Sequence, residues 1–257
     1  LYYQPQLDIK SGKISGFEAL IRWRNPQLGL VPPQKFICVA EDTHLIIPIG
    51  EWVIRNACLF LKRLHLEGYT DLNISINVSI LQLLQDDFVD MVTDTIESVQ
   101  INSKYIELEI TESILMESYE AIAGKLKLLR ARDIQIALDD FGKGYSSLNY
   151  LKQLPITTLK IDKSFIDTIS NKTKTRSMTD LIVKMGKSMD LCVVAEGVET
   201  QEQMDYLVKH KCNKIQGYLF CRPIPEKEAL IKIQDQYLNK LQKSSVYTNY
   251  KNEEDKV

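Results

Sequence analysis

Several things are scarce in this chain of 257 residues. It has three histidines, His44, His65 and His210, far apart and without the helical spacing of a zinc motif. That argues against a histidine-based metal site. Its five cysteines (Cys38, Cys58, Cys192, Cys212 and Cys221) are odd in number and never form a CxxC pair. A disulfide framework or a zinc site is therefore disfavoured, and small buried thiols in a reducing cytoplasm are expected. A dominant charge is missing as well: 32 Lys and Arg stand against 34 Asp and Glu, a formal net charge of -2. The basic footprint of a protein that grips duplex DNA or RNA is absent. No apolar run approaches the ~20 residues a membrane helix needs, and no signal peptide is visible, so this segment is expected to make no membrane contact. The first residue is Leu1, within a strand-like run and not a Met. A domain cut from a longer parent chain is therefore expected, and that parent could be membrane-anchored.

What is present is a 44% hydrophobic chain, long enough to bury one sizeable core. Strand-like runs cover residues 1–9, 14–23, 72–78, 105–110, 134–138, 158–161, 192–195 and 214–220. Helical patterns fall at 33–66 (as two helices), 87–98, 119–131, 146–153, 175–189, 201–210 and 226–237. Ser118 and Thr200 read as N-terminal caps. The alternation is that of an α/β protein and points to a TIM-like (β/α)8 barrel. Lys10-Ser11-Gly12-Lys13 is too short for a crossover helix and suits a hairpin. The first two strands are therefore expected to be antiparallel, a modified barrel. Residues 1–238 are read as this single domain, and 239–257 as a polar tail, a frayed helix end followed by disorder.

The chemistry lies in what interrupts the strands. Strands buried on both faces should read as apolar runs, and a charged group there is costly unless paired or bound to metal. Yet the runs carry Glu18, Asn77, Glu109, Asp139 with Asp140, Lys160, Glu196 and Gln216 near their C-terminal ends. Parity gives these residues a shared direction. In Asn73-Ile74-Ser75-Ile76-Asn77 the polar residues share one face, and in Glu107-Leu108-Glu109-Ile110 so do the carboxylates. Inward positions at the C-terminal rim are where barrel enzymes keep their catalytic groups. Carboxylates converging there repel one another unless divalent cations neutralise them. An all-oxygen set suits Mg²⁺ or Mn²⁺, and adjacent aspartates can share one carboxylate between two ions. The pattern reads as a two-metal phosphoesterase barrel, with rim salt bridges as the alternative for any one acid.

The same segments resemble the EAL-domain family of cyclic di-GMP phosphodiesterases. The likeness runs in order through Tyr3-Gln4-Pro5, Glu18-Ala19-Leu20 with Ile21-Arg22-Trp23, Asn77-Val78-Ser79 and Glu109-Ile110-Thr111-Glu112. It continues through Asp139-Asp140-Phe141-Gly142, Lys160-Ile161-Asp162, Ala195-Glu196-Gly197-Val198-Glu199 and Gln216-Gly217-Tyr218. The tripeptide alone is common; the ordered set, from Tyr3 to about Pro225, is specific. The resemblance implies that Glu18, Asn77, Glu109 and Asp139 hold a first metal. Asp139 would bridge to a second, completed by Asp140 and Glu196. A water between the ions would be the nucleophile, with Lys160 beside it and the scissile phosphate. Gln216 would hydrogen-bond around the nucleophile, and Gln4 and Arg22 would contact substrate. Glu112 would anchor the loop after Asp140, and Glu199 would support Glu196 or cap a helix. Lys143 departs from the small residue or Thr usual in that loop. The implied cofactors are Mg²⁺ or Mn²⁺, with Ca²⁺ inhibitory. The implied partners are cyclic di-GMP, a second copy of the chain, and a sensor or diguanylate-cyclase-type domain in a longer parent.

Three functions compete. The first is a hydrolase that opens cyclic di-GMP to linear pGpG. The second is a non-catalytic cyclic di-GMP receptor, a reading weakened because every ligand position is filled. The third is an unrelated sugar-phosphate barrel, which leaves the combination of Asn77, Glu109 and Asp139-Asp140 unexplained.

Overall fold

A computed structural model of the chain describes residues 1–142, 148–169 and 178–236. Strand β1 (Tyr2–Asp8) turns back into β2 (Lys13–Leu20) through a hairpin. There the Asp8 carboxylate accepts the Ser11 N–H at 2.7 Å. The two strands are antiparallel over seven paired positions, as the short connection requires. A two-stranded ribbon follows, β3 (Trp23–Asn25) and β4 (Gly29–Val31), then helices α1 (Pro33–Asp42) and α2 (Ile46–Leu66). The chain continues through β5 (Asn73–Asn77), α3 (Ile80–Leu83), α4 (Phe88–Val99), β6 (Ile106–Thr111) and α5 (Glu112–Ala131). Next come β7 (Gln135–Phe141), α6 (Leu148–Gln153), β8 (Thr158–Ile161), α7 (Lys163–Ile166) and α8 (Met178–Ser188). The last elements are β9 (Cys192–Ala195), α9 (Gln201–Lys209), β10 (Lys214–Ile215) and β11 (Ile224–Pro225), with a helix over 226–236.

Strands β2, β5, β6, β7, β8, β9 and β10 pair in parallel in that order. Strand β1 closes the ring by pairing antiparallel with both β2 and β10. The result is a closed eight-stranded barrel in which β1 alone runs against the others. Alternation along each strand divides its residues between two environments. Ile74, Ile76, Leu108, Ile110, Ile136, Leu138, Leu159 and Val193 are buried in one apolar core cluster, which includes Phe60, Leu61 and Leu64 of α2 and Leu126 and Leu129 of α5. Each such side chain, fully buried, contributes roughly 1.5–3 kcal/mol. The alternate residues face the interior and are largely polar.

Four local expectations change. Strand 14–23 ends at Leu20, because Trp23 pairs with Val31 in the separate ribbon. The expected run 214–220 is a strand only at Lys214–Ile215. From Gln216 the backbone turns, with the Phe220 and Cys221 N–H groups both donating to the Gly217 carbonyl. Helix α5 begins at Glu112, not after Ser118, because Thr111 is extended (φ −75, ψ 154) and the chain coils immediately after it. Glu199 does not cap α9: Thr200 does, in a reciprocal capping box with Gln203. Lys143 and the tail from 237 onward lie outside the described residues. No described helix is long and apolar enough to cross a membrane.

Candidate active site

The C-terminal ends of the parallel strands deliver the singled-out side chains to one place. Lys160, third residue of β8, points into the barrel and is 1% exposed. Its ammonium lies 2.5 Å from Glu109 Oε2 on β6 and 2.8 Å from Glu196 Oε1 just beyond β9. Asp139 Oδ2 on β7 is 3.5 Å away and Glu18 Oε2 on β2 is 3.7 Å away. Glu18 is further tied by Asn77 Nδ2, which donates to Oε1 at 2.7 Å, and by Gln216 Nε2, which donates to Oε2.

Four carboxylates around one cation cannot all be ordinary acids. Burial pushes Glu109 well above the usual carboxylate range, helped by Glu18, Asp139 and Glu196 and opposed by Lys160. Burial likewise raises Glu196 to about 8, with Lys160 pulling the other way. Burial also acts against ionised Glu18, but Lys160 and the amides of Gln216 and Asn77 outweigh it and hold that carboxyl below its ordinary value. Lys160 shows the mirror image. Burial lowers it, yet Asp139, Glu109, Glu18 and Glu196 hold it well above a normal lysine. The four acids thus favour the protonated form of Lys160.

The adjacent aspartates are held in an unusual turn. Asp140 sits at φ +56, and its N–H donates back to Asp139 Oδ1 at 2.8 Å. Gly142 follows at φ +103, a conformation that suits glycine, and a Cβ there would meet the Phe165 ring at 2.4 Å. Glu112, 2% exposed at the start of α5, accepts the Gly142 N–H at 2.8 Å and so fixes this turn from across the rim. Glu199 ion-pairs with Lys163 at 3.0 Å, joining the segment after β9 to α7.

Two residues are expected at the substrate, Gln4, which stands opposite Glu18 in the β1–β2 ladder, and Arg22. Gln4 is buried and both ends of its amide are engaged. Its Nε2 donates to the Cys221 carbonyl at 3.0 Å, and its Oε1 accepts from Gln216 Nε2 at 3.0 Å. Arg22 lies past the end of β2, donates to the Ile21 carbonyl at 2.8 Å and packs 5.5 Å from the Tyr2 ring centre. It lines a cavity of about 380 Å3, walled by Ala19, Ile46, Ile49, Gly50 and Val53, that opens beside Asn77. Nothing in the sequence pattern marked these α2 residues, because an apolar helix face reads the same whether it meets core or cavity.

The donor set fits a hard divalent cation. All the convergent acids and amides offer oxygen, and Glu109 Oε1 and Gln216 Oε1 are buried with no hydrogen-bond partner among the described residues. The acids stand around Lys160 and are not drawn into a ready cage: among the described residues no three His, Cys, Asp or Glu side chains already form one.

Comparisons with known proteins place the chain among relatives. A family model described as the EAL domain matches residues 1–223. The signaling protein YkoW of Bacillus subtilis is 44% identical over 89% of this chain and 28% of its own length. The bifunctional diguanylate cyclase/cyclic di-GMP phosphodiesterase MucR of Pseudomonas aeruginosa is 41% identical over 91% of this chain and 34% of its own. This chain therefore spans about a third or less of these curated relatives. A solved structure of the PaMucR phosphodiesterase in complex with c-di-GMP superposes with a TM-score of 0.85 at 40% identity, covering 89% of this chain and 93% of that one.

Proposed function

Because the chain belongs to the EAL-domain family, we propose that it is a phosphodiesterase that hydrolyses cyclic di-GMP to linear pGpG with the help of two divalent cations. The observation that carries this reading is the mouth of the barrel: four acids crowded around one buried ammonium, with a Glu109 oxygen left unpartnered. Such a cluster is short of positive charge, and divalent cations are the usual remedy. Glu18, Asn77, Glu109 and Asp139 would hold one ion; Asp139, Asp140 and Glu196 would hold the other. When bound, Mg²⁺ or Mn²⁺ polarises phosphoryl oxygens and makes water nucleophilic near neutral pH.

The chain's own groups supply the rest. Lys160, held protonated by its acid neighbours, donates hydrogen bonds and offsets charge as it builds on the phosphate. Gln216 and Asn77 fix the rotamer of Glu18 by donating to both of its oxygens. Glu112 holds the Asp139-Asp140 turn through the Gly142 N–H. Arg22 faces the substrate from the rim, and the cavity beside it has room for a nucleobase. Gln4 supports Gln216 by accepting from its amide, and keeps a second N–H for the substrate. In the reaction one P–O ester bond breaks and water adds its oxygen to phosphorus, leaving a linear dinucleotide. A homodimer in the cytoplasm, within a longer parent carrying sensor or cyclase-type domains, completes the reading; MucR is named for both activities.

The test is incubation of the purified chain with cyclic di-GMP and Mn²⁺ or Mg²⁺, with and without EDTA, followed by chromatography. Metal-dependent pGpG is expected, and Ca²⁺, larger and less exacting in geometry, should inhibit. Nucleotide that binds but stays intact would replace the hydrolase with the receptor.

A further inference from the structure

We propose that Glu107, one layer below the mouth, is a positioning residue whose charge strengthens the hold of the acid cluster on divalent cations; the inference rests on the metal-dependent reading above. Glu107 lies two residues before Glu109 on the same inward face of β6 and is 3% exposed. Both of its oxygens are met by hydroxyls. Ser75 Oγ on β5 donates to Oε1 at 2.7 Å, and Thr158 Oγ1 on β8 donates to Oε2 at 2.5 Å. Gln6 Nε2 on β1 donates to Ser75 Oγ at 3.5 Å, which leaves the serine hydrogen free for Glu107. Both carboxyl oxygens act as acceptors, the bonding pattern of a carboxylate.

In the ladder Glu107 pairs with Gln135 of β7 and Thr158 pairs with Ala137 of β7, so the Glu107–Thr158 bond joins β6 to β8 past the strand between them. Glu109, registered with Ala137, crosses the same strand one layer higher to reach Lys160. Both glutamates therefore bond β6 to β8 past β7, but their partners differ. Glu109 has an ammonium. Glu107 has hydroxyls and, among the described residues, no ion pair.

Lys160 is the only buried lysine or arginine among the described residues, and four other acids already surround it. The hydroxyls solvate Glu107 locally without cancelling its charge. In a water-poor interior that charge is felt at the mouth, where it adds to the demand for cations. Parity made Glu107 visible in the sequence as a companion of Glu109; its lack of a cation is a finding of the structure.

Direct Mn²⁺ titration by calorimetry, on the intact chain without nucleotide, tests the inference. Glu107→Gln keeps the shape and removes the charge, and should weaken Mn²⁺ binding about tenfold. Glu107→Asp keeps the charge while shortening the reach to Thr158, and should stay within about threefold of the parent chain. A Gln variant that binds Mn²⁺ as the parent does overturns the inference and leaves the phosphodiesterase reading standing. An Asp variant that falls as far as the Gln variant also overturns it, assigning the role to hydrogen bonding. If the Gln variant does not fold, the Asp variant decides alone, a tenfold loss counting against the proposal. A parent chain that binds no Mn²⁺ removes the metal reading and this inference with it.

Discussion

The two faces of the same barrel strands do opposite jobs. Outward, Ile74, Ile76, Leu108, Ile110, Leu159 and Ile161 are fully or almost fully buried against the helical shell. Inward, their immediate neighbours Ser75, Asn77, Glu107, Glu109, Thr158 and Lys160 form a polar column bonded across the barrel. The outer face gains free energy by leaving water. The inner face forgoes that gain and holds charges in an order that water would otherwise scatter. Stability and chemistry are thus separated by one residue of register, and a shift of one residue in any strand would exchange them.

Substitutions on the two faces should have different effects. Glu18→Ala, on the inner face, should lower turnover at least about a thousandfold if Glu18 holds a cation as proposed. Its melting temperature should change little, so a variant active at parental rates would contradict the assignment. Ile76→Ala, one strand away on the outer face, should cost about 2–5 kcal/mol of stability in a urea titration. Its folded fraction should turn over as the parent does; a kcat loss matching that of Glu18→Ala would erase the division between faces. Glu112→Ala should slow turnover by about tenfold, the equivalent of one lost hydrogen bond to a charged group, because the Asp139-Asp140 turn loses its anchor. Far-ultraviolet circular dichroism should be unchanged, and a collapsed spectrum would make Glu112 a residue of the fold.

A fourth effect concerns pH. In metal-free protein the Glu196 carboxyl is raised from 4.5 to about 8, so the folded state keeps a proton that the unfolded state gives up. That contribution to stability is complete below 4.5 and is lost as pH rises through about 8. Urea titrations in EDTA across this window should show the slope, and Glu196→Gln should flatten it. A slope unaltered by the substitution would place the proton elsewhere.

Much of this division was legible beforehand. Alternation in 73–77 and 107–110 separates the two faces without coordinates, and the short 10–13 connection dictates the antiparallel start. Glu18, Asn77, Glu109, Asp139, Lys160, Glu196 and Gln216 do meet at one rim. What escaped reading depends on distance across the fold. The Gln4 amide also donates to the Cys221 carbonyl, 217 positions away in the chain, a contact that no local pattern marks. The start of α5 was misplaced because Glu112 is both the first helical residue and a loop anchor, and only the second role shows in the motif. The cavity beside Arg22 is a property of packing, which has no periodicity to read.

Strand β1 is a stave set upside down in the cask. It is laced to β2 at seven positions, but on its other flank it meets β10 at only two, Leu7 and Asp8, and β11 at two more, Tyr2 and Tyr3. Between those attachments lies Gln4, which clasps Gln216 and the Cys221 carbonyl, while Gln216 holds Glu18. This thin seam of the wall is therefore tied through Gln4 and Gln216 to the acid that Asn77 and Lys160 also grip. Tension along β1 reaches the mouth of the barrel through three side chains, without first passing through the helical shell.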